Sequence, residues 1–272
     1  MNGLGGAAGF GEGVLGRNDD SSTGPIDIRS IFGPSGINFF GTNYTSLFVN
    51  NNGNITFTSA LSDFTPSPIG TGLSFPIIAA YWFDIDTRGG VLSPTPGGTS
   101  TGSNLVYYDL DITTHTFTVT WDDVGWYSFR SNPINAFQMQ LIDQGGGDFD
   151  IIFTYETIGA AGPADADGPG DYARAGYSPG GGRPGGFELP GSGNDSAVLQ
   201  FDTNPGNTGV PGSWMFQVRG GQVLGGNAPD PLVPPRPVSF SVQTLGLQRE
   251  GNSGATPFDV VIRRGGGDLD EP

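Results

Sequence analysis

The sequence predicts an all-β protein, an antiparallel β-sandwich of jelly-roll-like type with long loops rich in glycine and proline. Three observations support this fold class. Apolar and polar residues alternate in several short runs, as in strands with one buried face. An Asn-Gly step at residues 52–53 marks a hairpin turn. Finally, the 48 Gly and 22 Pro among 272 residues favour turns and loops over helices.

The predicted domains follow one another along the chain. Residues 1–14 are rich in glycine and are expected to be flexible. Residues 15–221 form the sandwich, residues 222–237 form a proline-rich linker, and residues 238–272 begin a further β segment. Residues 26–31 are predicted as the first strand of the sandwich.

The region 39–88 is the predicted centre of the fold. Its apolar segments 47–49 and 55–57 are joined through Asn52 and Gly53, which predicts a hairpin with a tight type I′ turn, because that turn needs positive φ angles. In the next predicted strand, 76–87, the two faces have different neighbours: Tyr81, Phe83 and Ile85 alternate with Trp82, Asp84 and Asp86.

From residue 105 the alternation becomes regular. Three runs, 117–121, 137–141 and 149–155, place aromatic and aliphatic side chains on one face, which predicts an antiparallel meander covered by a second sheet. Residues 197–201 and 214–219 are predicted as closing strands. Residues 91–104, 159–171 and 180–186 are predicted loops.

Charge and residue usage exclude several function classes. The net charge of −16 argues against nucleic-acid binding. The sequence has no Cys, which excludes disulfides and cysteine zinc sites, and no Lys. Its single histidine, His115, falls in a predicted surface turn, and no nucleophile motif is present. We therefore expect no enzymatic activity, and no segment has the apolar length of a membrane span.

Several motifs resemble one known family. The run VNNNGNITF followed by AAYWFDIDTR resembles the signature of the nidogen-like extracellular (NIDO) domain. Further segments fit the same pattern in the same order: GRNDDSS, FTVTWDDVGWY, NAFQMQLI, ARAGYS and ELPGSGN. The resemblance covers residues 15–218 and implies an extracellular adhesion or matrix module without enzymatic activity.

The last 35 residues resemble a second family. The EGNSG turn and the strand-like alternation at 258–262 are similar to the opening of a Calx-beta domain. About a third of such a domain is present, so its strands are expected to be unpaired at one edge and able to pair with another molecule. We expect the chain to be a fragment of a larger bacterial secreted or surface protein.

Calcium is the predicted cofactor. The sequence has 22 Asp against 5 Glu, and Asp is a short oxygen ligand for calcium. Asp165, Asp167 and Asp171 have the spacing of a short calcium loop, and the alternative is a solvated turn. Asp84 and Asp86 lie two residues apart on one strand face, where Arg88 could neutralise them. Capping of the strand end is the alternative for that pair.

Trp126, Tyr127 and Phe129 form an aromatic cluster after a predicted strand. If exposed, they would suit contact with a protein partner or a glycan; if buried, they would close the end of the sandwich. The predicted partners are other extracellular proteins or glycans. Two alternatives to the adhesion module stay open, a carbohydrate-binding module and a structural subunit that assembles through its C-terminal strands.

Overall fold

The computed structural model describes residues 10–70, 72–162 and 172–224, together with the backbone of two later strands. The chain divides into two units, residues 1–228 and 229–272, and each is described by itself. No helix in the described part of the chain has the length and apolar character to span a membrane.

The described part of the first unit consists almost entirely of strands. In chain order they are β1 (Gly13–Leu15), β2 (Ile26–Asp27), β3 (Ile37–Phe39), β4 (Thr42–Tyr44), β5 (Ser46–Asn50), β6 (Asn54–Thr56), β7 (Ile77–Trp82), β8 (Leu105–Asp111), β9 (Thr116–Trp126), β10 (Arg130–Gly145), β11 (Asp148–Ile158), β12 (Arg174–Ser178), β13 (Phe187–Glu188), β14 (Ser213–Arg219) and β15 (Gln222–Leu224). Two helices of four residues, α1 (Arg29–Phe32) and α2 (Asp195–Val198), and a 3-10 turn (Thr87–Gly89) complete it.

These strands form two antiparallel sheets, which confirms the predicted all-β sandwich. One sheet has the order β1-β8-β9-β10-β11-β14-β15, and the other has the order β13-β12-β7-β6-β5-β2. The predicted meander is the run β8 to β11, in which Met139 of β10 pairs with Val119 on one side and Phe153 on the other.

Aromatic side chains fill the space between the two sheets. The Tyr81 ring of β7 lies 5.6 Å from the Phe137 ring of β10, which stacks on Trp121 at 4.9 Å. The Tyr155 hydroxyl donates to the Ala80 carbonyl at 2.7 Å, so a hydrogen bond also crosses the interface. All five residues are fully buried, as a sandwich core requires.

The two faces of β7 meet different neighbours, as predicted. Tyr81 belongs to the main core between the sheets, as does Phe83 just after the strand. Trp82 belongs to a second, smaller cluster with Ile69 and Ile77, and its indole N–H donates to the Asp63 carbonyl at 2.9 Å. The alternation therefore reports two apolar layers, one on each side of the strand.

The hairpin at Asn52–Gly53 is present, but the predicted type I′ turn is wrong. Asn50 pairs with Asn54, which leaves a loop of three residues. Among these residues only Gly53 has a positive φ, of 79°. A Cβ at Gly53 would lie 1.8 Å from the Tyr81 carbonyl oxygen, so the loop needs glycine for space as well as for conformation.

Short helices replace part of each of two predicted strands. In the first, β2 ends at Asp27 and α1 follows, because Ile28, Ile31 and Phe32 have the spacing that buries one face of a helical turn. In the second, α2 and the turn that follows it take the place of the predicted strand 197–201. Asn194 caps this helix, and its side chain accepts from the Ala197 N–H at 3.1 Å.

The second unit contributes two described strands, β16 (Ser239–Thr244) and β17 (Val260–Gly265). They pair antiparallel, with Val242 opposite Ile262. Near the predicted domain boundaries, β1 begins at Gly13 and β15 extends the first sheet to Leu224.

Candidate functional site

Three distant segments of the chain meet at the end of β7. They are the loop 17–22, the hairpin loop 51–53 and the segment 83–88. Asn52 connects all three, because its Nδ2 donates to Asp20 Oδ1 at 2.9 Å and its Oδ1 accepts from the Ile85 N–H at 2.9 Å. The hairpin loop therefore holds the N-terminal loop against the end of β7.

Asp19, Asp20 and Asp84 bring three carboxylates together at this point. One oxygen from each lies within 4.8 Å of one oxygen from the other two. Asp84 is buried, and the other two are partly buried. Burial, with the negative charges of Asp86 and Asp20, raises the pKa of Asp19 above its usual value despite the nearby Arg88. These three residues could hold a metal ion.

Asp86 is fully buried, and its charge is balanced by Arg88. The Arg88 Nε and Nη2 atoms donate to its two oxygens at 2.9 and 2.7 Å. The N–H groups of Arg88 and Phe129 also donate to this carboxylate, each at 2.9 Å. Desolvation opposes ionisation, but these hydrogen bonds outweigh it and hold the pKa of Asp86 below its usual value. The predicted neutralisation by Arg88 is confirmed for Asp86.

The predicted position of this acidic pair on a strand is wrong. Strand β7 ends at Trp82, so Asp84 and Asp86 lie in the extended segment beyond it. That segment is still hydrogen-bonded to the opposite sheet, because the Asp84 carbonyl accepts from the Tyr127 N–H at 3.1 Å. The two carboxylates therefore separate: Asp84 joins Asp19 and Asp20, whereas Asp86 pairs with Arg88.

Arg88 connects the acidic residues to the tip of the β9–β10 hairpin. Its Nη2 lies 2.7 Å from Asp19 Oδ2, and its guanidinium carbon lies 4.4 Å from the centre of the Phe129 ring. Phe129 is 56% exposed, and both Ser128 and Phe129 have positive φ angles. The Phe129 ring at the tip is therefore exposed to solvent, while Asp86 fixes the backbone through the Phe129 N–H and Arg88 contacts the ring.

The three predicted contact aromatics differ in exposure. Trp126 is buried, its indole N–H donates to the Pro133 carbonyl at 3.1 Å, and the Arg130 guanidinium covers its ring at 4.5 Å. Tyr127 is partly buried against the main core. Phe129 alone among the three is largely exposed, so it is the one suited to contact a partner, while Trp126 closes the end of the sandwich.

Two further buried carboxylates, Asp122 and Asp123, hold the loop 91–104 over β9. Asp122 accepts from the Thr101 N–H and hydroxyl at 2.7 and 2.6 Å and from the Ser103 N–H at 3.0 Å. Asp123 accepts from the Thr95 hydroxyl at 2.5 Å and from the Gly102 N–H at 2.8 Å. Both carboxylates therefore hold the loop in place through hydrogen bonds.

A shallow polar depression of about 200 Å³ lies beside this loop, lined by residues 95–99, Glu156 and Thr157. Glu156 accepts from the Thr99 N–H at 2.8 Å and from the Ser100 N–H at 3.0 Å. Burial opposes ionisation of Glu156, yet these bonds lower its pKa. The carboxylate is thus a hydrogen-bond acceptor for the loop.

The predicted calcium loop with Asp165, Asp167 and Asp171 lies outside the described residues, so that part of the metal prediction stays a prediction. Asp84 is the predicted ligand that the structure brings to other carboxylates. Its neighbours Asp19 and Asp20 were not predicted as ligands, although both belong to GRNDDSS, one of the motifs that carries the family resemblance.

Comparisons with known proteins agree with the motif pattern. The family model of the nidogen-like domain matches residues 45–220. The chain is 34% identical over 225 residues to alpha-tectorin of Mus musculus, which covers 75% of this chain and 10% of that protein. It is 29% identical over 204 residues to nidogen of Drosophila melanogaster, which covers 67% of this chain and 14% of that protein.

A third relative is dendrite extension defective protein 1 of Caenorhabditis elegans, 26% identical over 194 residues, with 67% of this chain and 16% of that protein covered. The chain thus spans a small part of each of these relatives. No solved structure matches it. Because the family model covers well over half of its residues, the chain belongs to the nidogen-like domain family.

Proposed function

We propose that this chain is an extracellular structural module for adhesion or matrix assembly, without enzymatic activity. Its membership of the nidogen-like domain family supports the extracellular setting. The observation that carries the proposed role is the exposed Phe129 on a tip whose backbone is fixed by Asp86. An aromatic residue that is already held in place loses little freedom on binding, and such residues are typical anchors of protein interfaces.

The arrangement of the carboxylates supports a role without catalysis. Asp86, Asp122, Asp123 and Glu156 each accept several hydrogen bonds from loop N–H groups, and these bonds fix the loops. A general acid or base must instead reach a substrate proton. A screen of the protein against glycosidic substrates tests this part, because measurable hydrolysis would contradict it.

We propose further that the module belongs to a bacterial secreted or surface protein. The sequence has no cysteine, so its stability in an oxidising environment would not involve disulfides. Calcium is the cofactor in this proposal, acting by stiffening the loops at the end of β7. The charge of −16 and the three converging carboxylates support a cation.

Glycan binding is a second candidate function, favoured by the exposed Phe129 ring, since aromatic faces stack on sugars. Self-assembly is a third, favoured by the pairing of β16 and β17 in a sheet with two described strands. A glycan array tests glycan binding. Light scattering of the chain at high concentration tests self-assembly, for which a strictly monomeric mass would be contrary evidence.

Solid-phase binding of the full 272-residue chain to a panel of purified matrix glycoproteins tests the main proposal. We expect binding to at least one of them, reduced roughly tenfold or more by Phe129→Ala. Ile112→Ala is the matched control, because Ile112 is 65% exposed and lies at the opposite end of β9. Equal loss in both variants, or no binding by the wild type, would contradict the proposal.

A further inference from the structure

We propose that Asp19, Asp20 and Asp84 form a calcium site in which the side-chain oxygen of Asn51 is a further ligand. The inference gives the calcium in the proposed function a location and a ligand set. This site is built by segments up to 65 positions apart in the chain, and it differs from the loop containing Asp165, Asp167 and Asp171.

The spacing of the carboxylates fits calcium. Calcium binds roughly six to eight oxygens at about 2.3–2.6 Å, so two ligand oxygens on opposite sides of the ion lie about 4.6–5.2 Å apart. The oxygens of Asp19, Asp20 and Asp84 lie within 4.8 Å of one another. One ion can therefore contact all three without a large rearrangement.

Asn51 supplies an independent observation. It is 1% exposed, and its Oδ1 accepts no hydrogen bond from any described residue. An unpaired buried amide oxygen is costly, and calcium readily accepts this type of ligand. The oxygen is also close to the backbone of the residues that carry or adjoin these carboxylates, because Asn51 Nδ2 donates to the Asp19 carbonyl at 2.5 Å and to the Ile85 carbonyl.

Covalent geometry limits how far this oxygen can be from the backbone of Asp19. The nitrogen and oxygen of one carboxamide are about 2.2 Å apart, so Asn51 Oδ1 lies within about 5 Å of the Asp19 carbonyl oxygen. The side chain therefore fills the space between the backbone of Asp19 and that of Ile85, the residue after Asp84.

The carboxylate of Asp19 also has an oxygen without a hydrogen-bond partner among the described residues. Its Oδ2 contacts Arg88, but its Oδ1 is inaccessible to solvent and has no hydrogen-bond partner in the described part of the chain. Arg88 is already committed to Asp86 through two hydrogen bonds. Since Asp19 and Asp86 both contact this guanidinium and Asp20 lies near it, a divalent cation would offset negative charge that Arg88 alone does not balance.

A bound ion would tie the N-terminal loop to the end of β7 and so support the hairpin tip. Asp19 and Asp20 belong to the loop, and Asp84 precedes Asp86, whose carboxylate holds the Phe129 N–H. We expect calcium to reduce motion in the loop 17–22 and at Phe129 together.

Isothermal titration of the full chain with calcium chloride, after chelator treatment, tests the site. Asp20→Asn is the main variant, because Asn can still accept the hydrogen bond from Asn52 while losing the charge. We expect Asp20→Asn and Asp84→Asn to weaken calcium binding by roughly tenfold or more. Asp63→Asn is the matched control, since Asp63 is exposed and lies outside the three segments that build the site. The calcium affinity of this variant should match that of the wild type.

A second measurement keeps the test decisive if Asp84→Asn does not fold. Calcium should raise the melting temperature of the wild type and of Asp63→Asn but not that of Asp20→Asn. Unchanged affinity in Asp20→Asn, no binding by the wild type at millimolar calcium, or loss of binding only when Asp165, Asp167 and Asp171 are all replaced would overturn the proposal. None of these outcomes measures partner binding, so the adhesion role is judged separately.

Discussion

Asp86 shows how one residue links two loops. It is fully buried, and its two oxygens accept hydrogen bonds from the Arg88 side chain and from the N–H groups of Arg88 and Phe129. A buried carboxylate is tolerated only when it is paired in this way. The hairpin tip therefore depends on a side chain 43 positions away in the sequence.

We expect Asp86→Asn to destabilise the fold by about 2–4 kcal/mol at pH 7, because Arg88 loses its buried partner. Urea unfolding measures the change. The folded pKa of Asp86 is lowered, so its contribution is present above its unfolded pKa and is lost as the pH falls through the folded value. The difference between wild type and variant should therefore shrink at acidic pH; a constant difference would show that the charge is not what matters.

Asp109, whose carboxyl group is hydrogen-bonded to Glu12, is expected to have the opposite pH dependence. Burial, a hydrogen bond with Glu12 and the charges of Glu12 and Asp111 raise the pKa of Asp109 to about 6. A raised carboxyl pKa favours the protonated folded state, so this contribution is lost as the pH rises from about 4 through about 6.

Carbon-detected NMR titration of the Asp109 carboxyl tests this assignment. We expect a midpoint near pH 6, well above the ordinary value for aspartate. Unfolding measured at pH 4 and pH 7 should show a smaller loss of stability for Asp109→Asn than for the wild type. An Asp109 midpoint at the ordinary value for aspartate would contradict the effect of burial and of Glu12 on this carboxyl group.

At the scale of elements, buried carboxylates of β9 determine the position of a long loop. Asp122 accepts three hydrogen bonds from Thr101 and Ser103, and Asp123 accepts from the same loop. We expect Asp122→Ala to lower hydrogen-exchange protection at the Thr101 and Ser103 amides by roughly tenfold or more, because each unmade bond costs about 1 kcal/mol or more. Protection at the β10–β11 pairs should stay unchanged, and an equal loss there would indicate global unfolding.

The hairpin between β5 and β6 provides a test of close packing. Gly53 and Gly41 both have φ of 79°, but a Cβ at Gly53 would meet the Tyr81 carbonyl, whereas a Cβ at Gly41 would meet nothing within 4 Å. We expect Gly41→Ala to cost about 1 kcal/mol through backbone strain alone. Gly53→Ala should cost clearly more by chemical denaturation, and equal losses would refute the role of the contact with β7.

At the scale of the whole molecule, the sandwich could be predicted because alternation with a period of two reports a buried strand face directly. It worked for β8 to β11 and for both faces of β7. It failed at residues 28–31 and 197–201, because a pattern of only a few residues fits a helical turn as well as a strand. There Ile28 with Phe32, and the cap at Asn194, decided the outcome.

The candidate site was only partly predictable for a different reason. Asp84 and Phe129 stand beside strong strand signals, so sequence patterns drew attention to them. Asp19, Asp20 and Asn51 join Asp84 only through tertiary structure, across hydrogen bonds that span more than 30 positions. The spacing of these residues along the chain does not indicate that they meet in the fold.

The most direct test of the central claim, that three segments of this nidogen-like domain build one calcium site beside Phe129, is a crystal structure with calcium and its anomalous signal. We expect an anomalous peak about 2.3–2.6 Å from carboxylate oxygens of Asp19, Asp20 and Asp84. No peak at that position in millimolar calcium, or a peak only within residues 165–171, would contradict the account.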